Sequence, residues 1–318
     1  MNLKSTIGIT AALLSAVLAT SVAAQDFPTK PINIIIGFGA GGGTDAIVRA
    51  VAEPMTKILG QPVLVTNKPG AGGGVAAMDI KGAKSDGYTI FAGGSLTFSF
   101  EPQVLKLQYK HDDFEHIALI SMFQDGLFTH PSRPYKTMKD VITAAKTEKR
   151  SIKYASQFQL DRLIFAQVAK QEGVEIIPVP TQGGNGTVTA VLGNQVDFGF
   201  SGGTFGPHIE SGALRLIGAM SLEPMERFPE IPGMKGNGWK FGSENYLIVT
   251  TTKGTPKAVV DKLAAAFKAG METTPVQNVV KSRYMKDVFV GPDKAGEIVK
   301  RQVDRYAEVI KESKEETK

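Results

Sequence analysis

The chain has 318 residues and a formal net charge of +5, spread along its length rather than gathered into a basic stripe, so nucleic acid is not an expected partner. It contains no cysteine, which excludes disulfides, thiolate metal sites, thiol nucleophiles and a lipid-modified N-terminal cysteine. The length approaches the size at which a single hydrophobic core divides, so two lobes are expected.

The N-terminus reads as a secretory leader. Lys4 supplies the basic region, Ile7 to Leu18 the apolar stretch and Val22-Ala23-Ala24 the small residues of a cleavage site. Cleavage after Ala24 would leave residues 25–318 as an exported, soluble protein. The apolar stretch falls short of the ~20 residues a membrane span needs.

An apolar run, Ile32 to Ile36, predicts a first strand. It is followed by Gly37-Phe38-Gly39-Ala40-Gly41-Gly42-Gly43-Thr44-Asp45 and a helical segment from Ala46 to Leu59. Glycine at this density lets backbone N–H groups turn toward an anion at a helix N-terminus, so the loop is suited to a carboxylate or phosphate. Gly37, Gly39 and Gly42 also match the dinucleotide fingerprint, but Asn67 stands where an acidic residue would meet a ribose hydroxyl. No Gly-Lys-Ser/Thr follows, which excludes a Walker A loop. Thr44 and Asp45 are placed to cap the helix.

A second strand over Pro62 to Asn67, a glycine loop to Gly74 and a helix from Val75 to Ala83 repeat the unit; two such units predict a parallel α/β sheet. Ser85-Asp86-Gly87 is a turn, Tyr88 to Ala92 a third strand and Gly93-Gly94-Ser95 a third small-residue loop. The middle third predicts strands at Gly126–Thr129, Ser151–Ala155, Ile176–Val179, Val196–Phe200 and Leu214–Met220. Helices are expected at Thr137–Thr147, Leu160–Gln171 and Thr187–Leu192, completing a second α/β lobe. A Pro- and Gly-rich excursion from Pro224 to Gly238 precedes a strand at Tyr246–Thr251 and a helix from Pro256 to Glu272, with Thr255 as N-cap and Pro256 at its first position. The charged tail from Lys294 is helical.

Enzyme constellations are poorly supported. His111, His116, His130 and His208 lack metal-ligand spacing and are expected in solvated loops, and no serine sits in a Gly-x-Ser-x-Gly context. Neither a cofactor nor a metal is expected.

Several stretches in register carry a resemblance: Phe27-Pro28-Thr29-Lys30-Pro31-Ile32; Gly41-Gly42-Gly43-Thr44-Asp45 with Arg49; Asn67-Lys68-Pro69-Gly70-Ala71-Gly72-Gly73; and Asp86-Gly87-Tyr88-Thr89. Val179-Pro180, Gly193-x-Gln195-Val196-Asp197, Phe228-Pro229-Glu230-Ile231-Pro232 and Gly254-Thr255-Pro256 continue it. The chain resembles the solute-binding proteins of tripartite tricarboxylate transporters, the Bug proteins, over essentially the whole length after the leader. The resemblance implies a periplasmic, monomeric protein of the type II binding-protein fold. Its two α/β lobes, joined by two crossovers, would close on a small organic carboxylate and deliver it to a two-component membrane transporter. Residues 25–122 and 222–318 would form the first lobe and 123–221 the second. Carried over residue by residue, ligand contacts would come from Phe38, Ala40, Gly41, Gly42, Thr44 and Asp45, with Gly94 and Ser95 nearby, and from Ser156, the stretch Thr181, Gln182, Gly183, Gly184 and Asn185, and Ser201 opposite.

The second-lobe half departs from the family pattern. The segment after Ala155 reads Ser156-Gln157-Phe158-Gln159-Leu160-Asp161-Arg162, without the usual glycines and histidine, and Thr181-Gln182 replaces the usual Tyr-Lys. Arg162 falls roughly where the histidine would, and its guanidinium is suited to fork onto a second carboxylate, while Asp161 beside it can neutralise it. Phe38, Leu96, Phe98, Phe158 and Phe205 are candidates to face an apolar ligand body. A ligand-presenting sensor for a membrane histidine kinase shares all these features; an exported α/β hydrolase is the alternative of another class.

Overall fold

The structure, a computed structural model, describes residues 27–315, so the leader lies outside the described residues. The first elements are β1 (Ile32–Ile36), α1 (Gly43–Leu59), β2 (Val63–Asn67), α2 (Gly74–Lys81), β3 (Thr89–Gly94) and β4 (Phe114–Met122). After a short crossing come β5 (Gly126–Thr129), α3 (Met138–Glu148), β6 (Ile152–Ser156), α4 (Gln159–Glu172), β7 (Ile176–Pro180), α5 (Gly184–Leu192), β8 (Phe198–Ser201) and β9 (Arg215–Ala219). The chain then returns through β10 (Tyr246–Thr252) to α6 (Lys257–Met271), α7 (Thr274–Ser282) and α8 (Pro292–Glu315).

These strands make two five-stranded sheets, in the orders β2-β1-β3-β10-β4 and β7-β6-β8-β5-β9. β1 pairs in parallel with β2 and β3, and β6 with β7 and β8. The strand that enters each sheet directly from the other lobe, β10 in the first and β5 in the second, runs antiparallel to both of its neighbours. This is the two-lobed binding-protein architecture expected from the sequence. Parallel strands bring the loops that follow β1, β3, β6 and β8 to one end of each sheet, where ligands of such sheets bind.

Each sheet is covered by helices, so its central strands are apolar. Ile32, Ile34 and Ile36 of β1 are fully buried against Ile47, Val48 and Val51 of α1 and Leu263 and Phe267 of α6. In the second lobe the Tyr154 and Phe198 rings stack at 5.3 Å, with Phe165 edge-on to Phe198.

Several local expectations are corrected. β4, which the sequence reading did not anticipate, occupies Phe114–Met122, and His116 within it is buried, its Nδ1 2.8 Å from the Thr250 hydroxyl, rather than solvated in a loop. Burial pushes His116 down to about 3, so it is held neutral. The N-cap of α6 is Pro256 rather than Thr255, whose hydroxyl donates to the Thr252 carbonyl instead. The excursion after β9 packs Met234, Trp239 and Phe241 into one core cluster with Tyr154 and Phe165 of the second sheet's layer and with Leu96, Phe100 and Tyr306.

Candidate functional site

Between the lobes lies a narrow cavity of about 30 Å3. Phe38, Gly42, Gly43 and Thr44 line it from the first glycine loop and Gly94 from the end of β3. Gln157, Phe158, Gly184, Gly202 and Thr204 line it from the second lobe, and Phe123, Asp125 and Asn245 from the crossovers. Larger hollows, such as one of about 790 Å3 beside Phe98 and residues 107–113, lie away from the strand ends, where no loops of the two sheets converge.

The first loop is shaped by its glycines and by one carboxylate. Gly41 has φ 80, which only glycine adopts readily, and a Cβ on Gly43 would stand 2.9 Å from the Gly202 carbonyl oxygen, so the lobes meet there backbone to backbone. Asp45 neither caps α1 nor lines the cavity. The N-cap is Gly42, with no side-chain cap, and Asp45 turns back beneath the loop. Its carboxylate accepts from the Gly41 N–H at 3.0 Å, the Arg49 Nε at 2.9 Å and the Asn67 Nδ2 at 2.9 Å. Asn67 also donates to the Phe38 carbonyl, so the residue that argued against a ribose site instead clamps the loop from below. Among the described residues the backbone N–H groups of Gly42 and Thr44 and the Thr44 hydroxyl meet no protein acceptor, and both residues line the cavity at the α1 N-terminus.

α5 presents the opposing N-terminus. Its N-cap Gly183 has φ 103 and lies against Phe38, and the exposed Asn185 amide stands next to Gly41. The lobes touch directly at several points. The Gly39 N–H donates to the Gln182 carbonyl at 3.1 Å, the Gly43 N–H to the Thr204 hydroxyl at 3.1 Å, and the Phe38 and Phe158 rings sit 5.5 Å apart.

The other candidate side chains serve the walls. Ser95 accepts from the Tyr246 N–H at 3.1 Å, tying β3 to β10. The Ser156 hydroxyl accepts from Arg162 Nε at 3.0 Å, and its carbonyl accepts from both the N–H and the hydroxyl of Thr181. Gln157 donates its amide to the Phe200 carbonyl at 2.6 Å. Arg162 is thus turned onto its own lobe and does not line the cavity. Ser201, at the end of β8, keeps a buried hydroxyl with no hydrogen-bond partner. Of the apolar candidates, Phe38 and Phe158 line the cavity, whereas Leu96, Phe98 and Phe205 are core residues.

The cavity floor is acidic rather than basic. No lysine, arginine or histidine lines it, and Asp125 does. Asp125 accepts from the Ser243 hydroxyl at 2.9 Å, so one crossover holds the other. Burial, opposed by the Ser243 hydrogen bond, pushes Asp125 up to about 6. Burial raises Asp161 to about 6 as well, against the hydrogen bonds that it accepts from the Phe158 and Gln157 N–H groups and from Tyr154. Burial raises Glu101 to about 7 although it accepts from the Gln159 N–H across the lobes at 2.8 Å. Among the described residues no group of His, Asp and Glu side chains is arranged to hold a metal ion, and no helix is long and apolar enough to cross a membrane.

A family model described as tripartite tricarboxylate transporter family receptor matches residues 47–314. The chain belongs to this family of receptors. The receptor is 32% identical over 266 residues to a protein encoded in the gbd 5' region of Cupriavidus necator, covering 83% of this chain and 81% of that one. Its structure superimposes on the periplasmic binding protein BugD with a TM-score of 0.81 and 29% identity, over 90% of this chain and 98% of that one. It shares its fold with MatC of Rhodopseudomonas palustris, solved with bound malate, at a TM-score of 0.79 and 22% identity, over 89% of this chain and 100% of that one.

Phe123, Asp125, Gly202, Thr204 and Asn245 were not anticipated from the sequence, whereas Gly184 falls within the expected stretch. Gly202-Gly203 repeats the small-residue pattern of the other strand ends, so a signal existed there. Asp125 and Asn245 carry none, because only the topology brings the crossovers to the cavity.

Proposed function

We propose that this receptor is an exported, periplasmic binder, not an enzyme, that captures a small organic carboxylate between its lobes and delivers it to a two-component membrane transporter. The observation that carries this reading is the α1 N-terminus, where Gly42 and Thr44 line the interlobe cavity and, among the described residues, their N–H groups have no protein acceptor. A carboxylate there would be held by backbone N–H groups, the Thr44 hydroxyl and the helix dipole, with no need for a cationic side chain. The α5 N-terminus at Gly184 would close over it from the second lobe. Phe38 and Phe158, whose rings touch each other, would together present an apolar wall to the ligand. Gly42, Thr44, Gly94 and Gln157 would then touch ligand, Ala40, Gly41, Gly183 and Asn185 would shape the rim, and Asp45, Ser95, Ser156 and Thr181 would hold the walls. The reading places the leader cleavage after Ala24, the first lobe at residues 25–122 and 222–318 and the second at 123–221.

A panel of mono- and dicarboxylates, with sugars and cations as contrast, tests it by thermal shift. A ligand at a hundredfold excess over Kd stabilises the native state by about 2.7 kcal/mol, a shift of several degrees for a chain of this size. Stabilisation by sugars or cations but by no carboxylate would overturn the reading.

A further inference from the structure

The turn that ends α7 carries a residue such turns do not favour. The Lys281 and Val280 carbonyls accept from the N–H groups of Tyr284 and Met285, both at 3.1 Å, which puts Tyr284 in the left-handed position where helices usually end in glycine. Its φ is 51, and its Cβ makes that conformation strained. Strain of this kind persists only where the surroundings hold it, and here part of the surroundings belongs to the other lobe.

Tyr284 is buried in the core cluster of the second sheet, with Phe128, Ala155 and Val191. Met285, the next residue, is buried in that of the first, with Ile47 and Val51. Adjacent residues thus enter both cores. The Tyr284 ring meets Phe205 at 5.8 Å and Phe228 at 5.3 Å, both edge-on, Arg227 lies over its face at 4.2 Å, and its hydroxyl donates to Glu210 at 2.7 Å. Lys286 then exchanges backbone hydrogen bonds with Met122 of β4, which fixes this strap, residues 283–286, to the first sheet.

The strap runs directly behind a wall of the cleft. A Cβ on Gly203 would stand 1.8 Å from the Arg283 carbonyl oxygen, and one on Gly206 2.6 Å from that of Ser282. On its other side the same loop meets α1, where the Gly43 N–H donates to the Thr204 hydroxyl. Residues 202–206 are therefore gripped between α1 and the strap, and Gly202 and Thr204 line the cavity.

We infer that Tyr284 is a positioning residue and a latch: seated between Phe205 and Phe228, it presses residues 202–206 against α1 and keeps the lobes closed, and the cleft opens when the ring leaves this socket. The ring's contacts favour closure, and relief of the left-handed strain favours release, so the strap has two states instead of one graded response. The inference concerns the wall and holds whatever the ligand, so its failure would leave the carboxylate reading standing.

The chain has no cysteine, so spin labels on Lys57→Cys of α1 and Thr189→Cys of α5, both exposed, report the interlobe distance in the ligand-free protein. Wild type is expected to show mainly the shorter distance. Tyr284→Gly, which suits the turn but empties the socket, should enlarge the longer-distance population at least about fivefold. Hydrogen exchange in residues 202–206 should quicken by a similar factor, with protection of β6 and β8 unchanged. Phe228→Ala, at a partly buried position, should act in the same direction by about twofold or more. An unchanged distance distribution, or unchanged exchange in residues 202–206, would overturn the inference in Tyr284→Gly, or in Phe228→Ala should the first variant not fold. Exchange that quickens across the whole second sheet would overturn it too, by making Tyr284 an ordinary core residue of that lobe.

Discussion

The two halves of the cleft are built on different principles. In the first lobe the side chains work from outside: Asp45, Arg49 and Asn67 sit beneath the loop and hold its backbone, so that N–H groups are what faces the cavity. In the second lobe the polar side chains after β6 and β7 bond to one another or to nearby backbone, Arg162 to Ser156 and Thr181 to Thr187, and the wall is finished by Phe158, Gly184 and Thr204. On the proposed reading, an anchor made of backbone and clamped from behind would serve any carboxylate, and discrimination would fall to what projects from the other side and from the crossovers.

The largest effect expected from breaking this contrast is at Gly42. Its φ of −72 suits any residue, and a Cβ there would meet ordinary contacts, the nearest being the Gly39 carbonyl oxygen at 3.5 Å. Gly42→Leu should therefore fold normally while filling the anion position, with a loss of affinity greater than about a hundredfold, or ~2.7 kcal/mol, in calorimetry. Retained binding would make the loop a structural turn. Asp45→Ala leaves the cavity lining intact but removes the clamp, and should lower stability by about 2 kcal/mol and affinity about tenfold, since a mostly buried acceptor of three donors is lost while Arg49 remains half in solvent. A stability loss without any affinity loss would show that the loop keeps its shape unaided.

Glu101→Gln sharpens the comparison from the interlobe side. An acid whose native value is raised binds its proton more tightly when folded, so its contribution to stability declines as pH rises from about 4.5 through about 7. The variant should match wild type near pH 5 and exceed it by roughly 1–3 kcal/mol at pH 8 in paired thermal melts, a difference in which the opposing effect of neutral His116 cancels. An equal gain at both pH values would mean that the carboxyl's charge is not the cause. Thr44→Val removes one hydroxyl from the first wall and should weaken carboxylate binding about fivefold, ~1 kcal/mol. Arg162→Ala should change affinity less than about threefold, for mono- and dicarboxylates alike. A selective loss of dicarboxylate binding would return Arg162 to the cleft.

Much of this was legible in the sequence because it is local. β1 and the glycine loop after it announce themselves by an apolar run that ends in glycines, and the same rhythm recurs at β2, β3 and β8. Even the weakness of the second-lobe half was readable, since Ser156 to Arg162 contains no glycine. What the sequence withheld is set by distant partners. Asp45 reads as a helix cap until Arg49 and Asn67 are seen to hold it beneath the loop. β4 carries Glu115, His116 and Ser121 among apolar residues, and only its pairing with β10 makes it a strand. Asp125 and Asn245 lie far apart in sequence, and the two crossovers bring them to one floor.

The hydrogen bonds from Gly39 to Gln182 and from Gly43 to Thr204 commit N–H groups of the first loop to the opposite lobe. The protein is in this sense its own competitor. An anion that reaches for the Gly39 or Gly43 N–H displaces a carbonyl or a hydroxyl already seated there, and its apparent affinity is the intrinsic one reduced by the fraction of molecules in which those donors are free. Capture strength is therefore adjustable at Thr204, a residue that need never be consumed in recognising the ligand, simply by changing how firmly the two lobes hold each other.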